Sequence, residues 1–200
     1  MRQPAKGILF ITAMVIAATV LAEEGGESAG ASIDYKLLST SKTSTMQEEM
    51  SEAAEGGYRF VAVMGGETSF GGSEVAVVMS RPLDREPEAL YQYKLLATSK
   101  TSTMQKELQE AADAGFEYRS QTVFKTTFGG QEVVVILELE LDKPIASFEY
   151  KLLTTKKTST MQNELREAGE AGYEFVGFTV SKTTFGGSEL VIILRRPTSD

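Results

Sequence analysis

The chain contains no cysteine and no histidine among its 200 residues. Without histidine, the Ser-His and Cys-His mechanisms and the usual zinc sites are excluded. Without cysteine no disulfide can form, so burial alone must stabilise the fold, even in an oxidising compartment. We therefore expect no cofactor, no metal and no catalytic residues.

The first 22 residues have the pattern of a secretory signal peptide. Arg2 and Lys6 give a positive start, residues 8–22 are apolar apart from two threonines, and the small residues Val20 and Ala22 precede a cleavage site. An uncleaved anchor is the alternative, but this run is short of the roughly 20 apolar residues that a bilayer core needs. No cysteine follows the run, which excludes a bacterial lipoprotein. The pattern predicts a bacterial protein that is exported, either periplasmic or secreted, with no membrane span after cleavage.

Acidic residues dominate the rest of the chain. Removal of the leader takes two of the 20 Lys and Arg and none of the 28 Asp and Glu, which leaves a net charge of −10. An acidic surface repels phosphate backbones and anionic lipid, so neither nucleic acid nor a membrane surface is an expected partner. Residues 23–32 (EEGGESAGAS) are typical of a flexible tether.

The remaining sequence consists of three copies of one unit. The landmark motifs YKLL, KTSTMQ and T-S/T-FGG recur with offsets of 58 and then 57 residues. The first copies of these motifs begin at Tyr35, Lys42 and Thr68. We predict repeats at residues 33–82, 90–144 and 147–197.

Each repeat has the pattern of a βαββ unit. Alternating apolar residues predict a first strand, and Ser44 followed by Gln47 predicts a capping box at the start of an amphipathic helix. A glycine such as Gly57 ends that helix, and two further strands follow. The third strands (VAVVM, VVVIL and LVIIL) do not alternate, which indicates burial on both faces. The third strand is therefore predicted to be central, in the order 1-3-2, within an α+β fold.

One helix covers only one face of such a sheet. A unit of about 50 residues is marginal for an independent core. Because the linkers are short and not rich in Gly or Ser, we expect the three repeats to pack their open faces together into a pseudo-threefold body. Three separate beads on linkers are the alternative.

The repeat unit resembles a small bacterial family, the domain of unknown function 4177. The resemblance rests on an aromatic-x-Tyr-Lys strand, a Gly-aromatic-Glu-hydrophobic step and an apolar strand that ends in a basic residue. In this chain these are Phe148–Lys151, Gly172–Phe175 and Leu190–Arg196. Arg59 replaces the acidic residue in the first copy, and three copies behind a signal peptide depart from the common single-copy form. The resemblance implies the βαββ fold and no activity.

Two repeated loops are the candidate binding sites. The KTSTMQ loop could bind a small anion at a helix N-terminus, although a capped helix beside a solvated lysine explains most of it. The Phe-Gly-Gly turns carry aromatic residues that either form a contact surface or fold back on the protein. The candidate residues are Lys42, Thr43, Ser44, Lys100, Thr101, Ser102, Lys157, Thr158, Ser159, Phe70, Phe128 and Phe185.

Carboxylates offer weaker candidates. Glu74, Glu132 and Glu189 follow the three turns and could bind a cation near a symmetry axis, but no dense Asp/Asn loop supports this. Glu49 and Glu52 lie on the polar stripe of the first helix, where solvation explains them better than catalysis.

Three hypotheses about function follow. The first is an exported, non-enzymatic binding or structural protein that contacts a protein or glycan of the envelope through its repeated loops. The second is a small-anion or sugar-acid binding module at the helix starts. An enzyme is the third and the least supported. The sequence leaves the oligomeric state open and is compatible with a monomer.

Overall fold

The computed structural model describes residues 32–67, 73–98, 100–125, 131–155, 157–182 and 188–198. The predicted signal peptide, nearly all of the tether and the three Phe-Gly-Gly turns lie outside these ranges. Within them, no helix is long and apolar enough to cross a membrane.

The chain folds as three βαββ units, as predicted. The elements are β1 (Ile33–Thr40), α1 (Thr43–Glu55), β2 (Arg59–Glu67), β3 (Ser73–Pro82), β4 (Tyr91–Thr98), α2 (Thr101–Asp113), β5 (Glu117–Lys125), β6 (Gln131–Glu140), β7 (Phe148–Thr155), α3 (Thr158–Glu170), β8 (Glu174–Lys182) and β9 (Ser188–Pro197).

Each unit forms its own antiparallel sheet of three strands. The orders are β1-β3-β2, β4-β6-β5 and β7-β9-β8, so the third strand of every repeat is central. The predicted order 1-3-2 is confirmed. Each second strand has a register irregularity near its start, between Phe60 and Ala62 in the first repeat, which re-aims the residues at that edge.

The helix ends agree with the sequence pattern, but the helix starts do not. Gly57, Gly115 and Gly172 have φ angles of 81°, 88° and 82° and follow the helices in the left-handed conformation that favours glycine. The capping-box prediction is wrong, because Lys42 is the N-cap and no side chain caps the helix. Instead, the Lys42 N–H donates to the Thr40 hydroxyl at 3.2 Å, and Gln47 is bonded to the following repeat.

The central strands of repeats 2 and 3 are buried on both faces by different neighbours, whereas β3 is fully buried only on the face toward α1. In β6, Val133, Val135 and Leu137 lie in one apolar cluster with α2 of the same repeat. Val134 and Ile136 point the other way and lie in a cluster with α1 and β3 of the preceding repeat. The helix of a repeat therefore covers its own sheet, and the preceding repeat covers the second face.

The covering runs in one direction along the chain. One apolar cluster joins repeats 1 and 2, and another joins repeats 2 and 3. The prediction that the repeats complete one another's core within one compact unit is confirmed. A threefold arrangement would also place repeat 3 on repeat 1, but the second face of the first sheet is exposed, as Tyr35 and Leu37 show. The described residues therefore form a sequential stack with two different ends.

Candidate functional site

In the described part of the chain, the contact between consecutive repeats has two sides. The receiving face is the second face of a sheet, the one turned away from its own helix. The covering side consists of the helix and second strand of the preceding repeat. The interface is formed twice within the chain, so its components can be compared position by position.

A tyrosine of the receiving face lies at the centre of each interface. Tyr93 is 5% exposed and Tyr150 is 2% exposed, whereas Tyr35, the same position in repeat 1, is 62% exposed. Each buried ring also satisfies a backbone donor of the preceding repeat. The Phe60 N–H donates to the Tyr93 hydroxyl at 2.6 Å, and the Tyr118 N–H donates to the Tyr150 hydroxyl at 2.8 Å. Phe60 and Tyr118 are the residues at which the second strands change register. The buried tyrosine hydroxyl therefore accepts from a backbone N–H at an irregular position of the strand.

A glutamine of the covering side forms a two-point clamp on the next sheet. The Gln47 side-chain amide donates to the Tyr93 carbonyl at 2.8 Å and accepts from the Leu95 N–H at 2.7 Å. Gln105 makes the same pair with the Tyr150 carbonyl and the Leu152 N–H, at 2.9 and 2.7 Å. The clamp bonds the free edge of β4 and β7 as a further strand would, and unpaired strand edges favour unwanted pairing.

The first interface also contains a buried carboxylate. Glu138 is 1% exposed and accepts hydrogen bonds from Arg59 at 2.9 Å, from Arg119 at 2.9 Å and from the Tyr93 hydroxyl at 2.8 Å. Burial opposes the charge on Arg59, but the hydrogen bond and the charge of Glu138 outweigh it and raise the pKa of Arg59. Burial is the main reason why the pKa of Tyr93 is raised far above its usual value, with the nearby Glu138 charge adding to it. Glu138 is thus a buried, hydrogen-bonded side chain that joins two repeats.

The second interface has the opposite polarity at the same two positions. Arg59 and Glu138 correspond by repeat offset to Glu117 on the covering side and Arg195 on the receiving face. Arg195 and Glu117 form an ion pair with a nitrogen–oxygen distance of 3.5 Å. Since Glu117 facing another Glu138 would place two carboxylates together, the charge exchange favours the native order of repeats over a shifted one.

Side-chain size is matched at one further position. Gly177 on the receiving face of repeat 3 lies against the hydroxyl end of the Tyr118 side chain, whose Cζ atom would be 2.7 Å from an added Cβ. A glycine is therefore needed opposite a tyrosine. Where the covering residue is Phe60, which has no hydroxyl, the corresponding residue of the receiving face is Ser120.

The two ends of the stack lack a neighbour. On the receiving face of repeat 1, Tyr35 and Leu37 of β1 and Met64 of β2 are 62%, 69% and 74% exposed. On the covering side of repeat 3, Phe175 and Phe178 are 56% and 63% exposed. Eight of the eleven large apolar side chains that are exposed in the described residues lie at these ends: Ile33, Tyr35, Leu37, Val61 and Met64 at one, and Phe175, Phe178 and Val180 at the other. The exposed apolar surface is thus concentrated rather than scattered.

The structure places the predicted KTSTMQ sites at the surface. Lys42, Lys100 and Lys157 are exposed N-cap residues, and Thr43, Ser44, Thr101, Ser102, Thr158 and Ser159 follow in the first helical turns. Glu189 of repeat 3 lines the same small cavity as Lys100 and Thr101, which puts a carboxylate beside the second helix start. Anion binding there stays a prediction.

The other predicted candidates have different outcomes. Phe70, Phe128 and Phe185 lie outside the described residues. Glu74 accepts a hydrogen bond from the Ser39 hydroxyl at 3.1 Å. Among the residues that the structure describes, no group of three or more acidic side chains could hold a metal ion.

The sequence pattern does not identify the residues that form the interfaces. The spacing of Gln47 predicts a helix cap, and Tyr93 is one member of an alternating strand pattern. A signal for Glu138 was present, since it interrupts the apolar run VVVILELE of β6. A charge inside a strand buried on both faces requires a partner of opposite charge, which Arg59 and Arg119 provide.

Comparison with family models, with curated proteins and with solved structures finds no match. The resemblance to the domain of unknown function 4177 therefore stays a prediction.

Proposed function

We propose that this chain is an exported, non-enzymatic binding or structural protein, and that it contacts a protein through the receiving face of repeat 1. The observation that carries the proposal is the exposure of this face. It displays Tyr35, Leu37 and Met64 to solvent, whereas in repeats 2 and 3 the preceding repeat buries the tyrosine position and partly buries the leucine position.

The chemistry of the face fits a protein partner better than a glycan or an anion. Its large exposed side chains are apolar or aromatic, and they continue across β1 and β2, with the partly buried Val78 of β3 between them. Contiguous exposed apolar surface of this kind commonly marks a protein contact. The edge of β1 adds backbone groups, because the Tyr35 carbonyl and the Leu37 N–H are the positions that glutamine clamps occupy in repeats 2 and 3. Among the described residues, this face supports a contact role more directly than the repeated loops do.

A site-specific cross-linker tests the proposal in cells that export the protein. A photo-reactive amino acid replaces Leu37 in the complete chain, and the matched control carries it at Glu48, which is exposed on the polar side of α1. We expect a protein adduct from position 37 and none from position 48. The mass of the exported chain should show that it begins at Glu23. The proposal is wrong if position 37 gives no protein adduct.

A further inference from the structure

We propose that the partner of the receiving face of repeat 1 is the covering side of repeat 3 in a second copy of this chain, so that copies join head to tail. This inference rests on the proposed function, because it identifies the protein that occupies the same face. The interface within the chain, used twice, would then be used a third time between chains.

The hydrogen-bonding groups that the third interface needs are already present at the two ends of the stack. Gln162 is the counterpart of the clamping residues Gln47 and Gln105, and it is exposed at the end of the stack. The matching backbone groups are the Tyr35 carbonyl and the Leu37 N–H on the edge of β1. Suppose that repeat 1 of a second copy packs on repeat 3 as repeat 2 packs on repeat 1. The Gln162 amide would then meet the Tyr35 carbonyl and the Leu37 N–H of that copy.

The groups that form the tyrosine hydrogen bond are likewise present, one at each end of the stack. Tyr35 corresponds to Tyr93 and Tyr150, whose hydroxyls accept from the N–H groups of Phe60 and Tyr118. The next residue in that series is Phe175, where β8 changes register as β2 and β5 do. In the third interface, the Phe175 N–H would donate to the Tyr35 hydroxyl of the next copy.

The apolar surfaces also match in kind. The covering side of repeat 3 presents Phe175 and Phe178, and the receiving face of repeat 1 presents Leu37 and Met64. The size rule holds as well. Phe175 has no hydroxyl, and it would meet Ala62, the counterpart of Ser120 and Gly177. A tyrosine at position 175 would instead require a glycine, as Tyr118 does.

The charged positions allow the contact between copies but do not strengthen it. The two positions that form ion pairs within the chain are occupied here by Glu174 on the covering side and Ser80 on the receiving face. At this pair of positions no like charges meet, but no ion pair forms either. We therefore expect the joint between copies to be weaker than the joints within a copy, and hence dependent on concentration.

The two surfaces differ, so the contact is heterologous. Such a contact gives a closed ring when its rotation closes and an open chain of copies when it does not. A dimer that pairs two identical faces is a different arrangement, and it makes a different prediction.

Two single substitutions and their mixture distinguish these arrangements. Leu37→Glu disables the receiving face, and Phe178→Glu disables the covering side. Both residues are largely exposed, at 69% and 63%, so the fold should tolerate the changes, which circular dichroism and thermal melting would verify. Sedimentation velocity of residues 23–200 over a wide concentration range provides the measurement.

We expect the unchanged chain to form species that grow with concentration, up to a ring or a series of oligomers. Each variant alone should be monomeric at concentrations at least 10-fold above those at which the unchanged chain associates. An equimolar mixture of the variants should form a dimer and nothing larger, because only one intact receiving face and one intact covering side remain per pair. Association of Phe178→Glu alone would overturn the proposal, since it indicates a contact between identical faces.

The remaining outcomes separate this inference from the proposed function. If the unchanged chain is monomeric and the cross-linker at position 37 captures another protein, the head-to-tail joint is wrong and the contact role stands. An adduct within one chain to residues 23–31 would overturn both proposals, because a segment of the same chain would then occupy the face. If no adduct forms at all, both proposals fail.

Discussion

Single residues decide how the repeats are ordered. Glu138 lies in the middle of an apolar strand, where an unpaired carboxylate would be strongly destabilising. Two guanidinium groups and a phenol surround it, and two of these three partners come from its own repeat. The third, Arg59, belongs to repeat 1, so the ion pair binds the two repeats together.

Replacement of Glu138 by Gln should therefore destabilise the protein. The change leaves the guanidinium groups of Arg59 and Arg119 without their buried counter-charge, and a broken buried pair typically costs 3–5 kcal/mol. Because both arginines keep some contact with water, at 38% and 30% side-chain exposure, we expect a smaller loss of about 2–3 kcal/mol. Urea denaturation measures the loss.

The exposed Glu48 provides the control for that experiment. Glu48→Gln makes the same chemical change on the solvated side of α1 and should alter the free energy of unfolding by less than about 0.5 kcal/mol. Equal effects of the two substitutions would mean that Glu138 contributes no more than a surface charge.

At the scale of the element, the glutamine of α1 and that of α2 bond to the next sheet rather than to their own helix start. The sequence pattern Ser-x-x-Gln is shared by a capping box and by this clamp, and local spacing cannot distinguish them. The difference lies in what comes near the helix in three dimensions. For α1 that is the edge of β4, about 46 residues further along the chain.

Replacement of Gln47 by Ala should cost about 1–3 kcal/mol of stability. The Tyr93 carbonyl and the Leu95 N–H would lose their partner at a partly buried edge, and unsatisfied groups of this kind carry a penalty of that size. Urea denaturation at low protein concentration would measure the loss in the separate chain.

Gln162 provides the matched control for the clamp. Gln162→Ala makes the same change in the last helix, where no further repeat follows, and should leave the stability of the separate chain within about 0.5 kcal/mol. A capping role for these glutamines predicts instead that both substitutions destabilise equally, because the helix starts are alike.

At the scale of the whole molecule, the sequence was sufficient for the number of repeats, the strand order and the mutual covering of sheets. These follow from period and apolar runs, as in the unbroken VVVIL of β6. The direction of covering was not accessible in the same way. Tyr35, Tyr93 and Tyr150 lie in nearly identical motifs, so the pattern gives no sign that the first is exposed and the others are buried.

The interface tyrosines should make the whole stack sensitive to alkali. Burial, as the largest cause, raises the pKa of Tyr93, Tyr118 and Tyr150 above the usual value of about 10. The unfolded chain therefore releases these protons at a lower pH than the folded chain does, so their contribution to stability is complete below about pH 10 and is lost as pH rises further. Each buried tyrosine can contribute up to about 1.4 kcal/mol per pH unit to that decline.

Chemical denaturation at a series of pH values from 8 to 11 (a range set by the pKa of about 10 for free tyrosine) should show a plateau and then a fall. Tyr93→Phe should make the fall shallower, whereas Tyr35→Phe, which removes a hydroxyl from an exposed ring, should not. If Tyr93→Phe leaves the slope unchanged, the buried phenols do not set the alkaline limit of the stack.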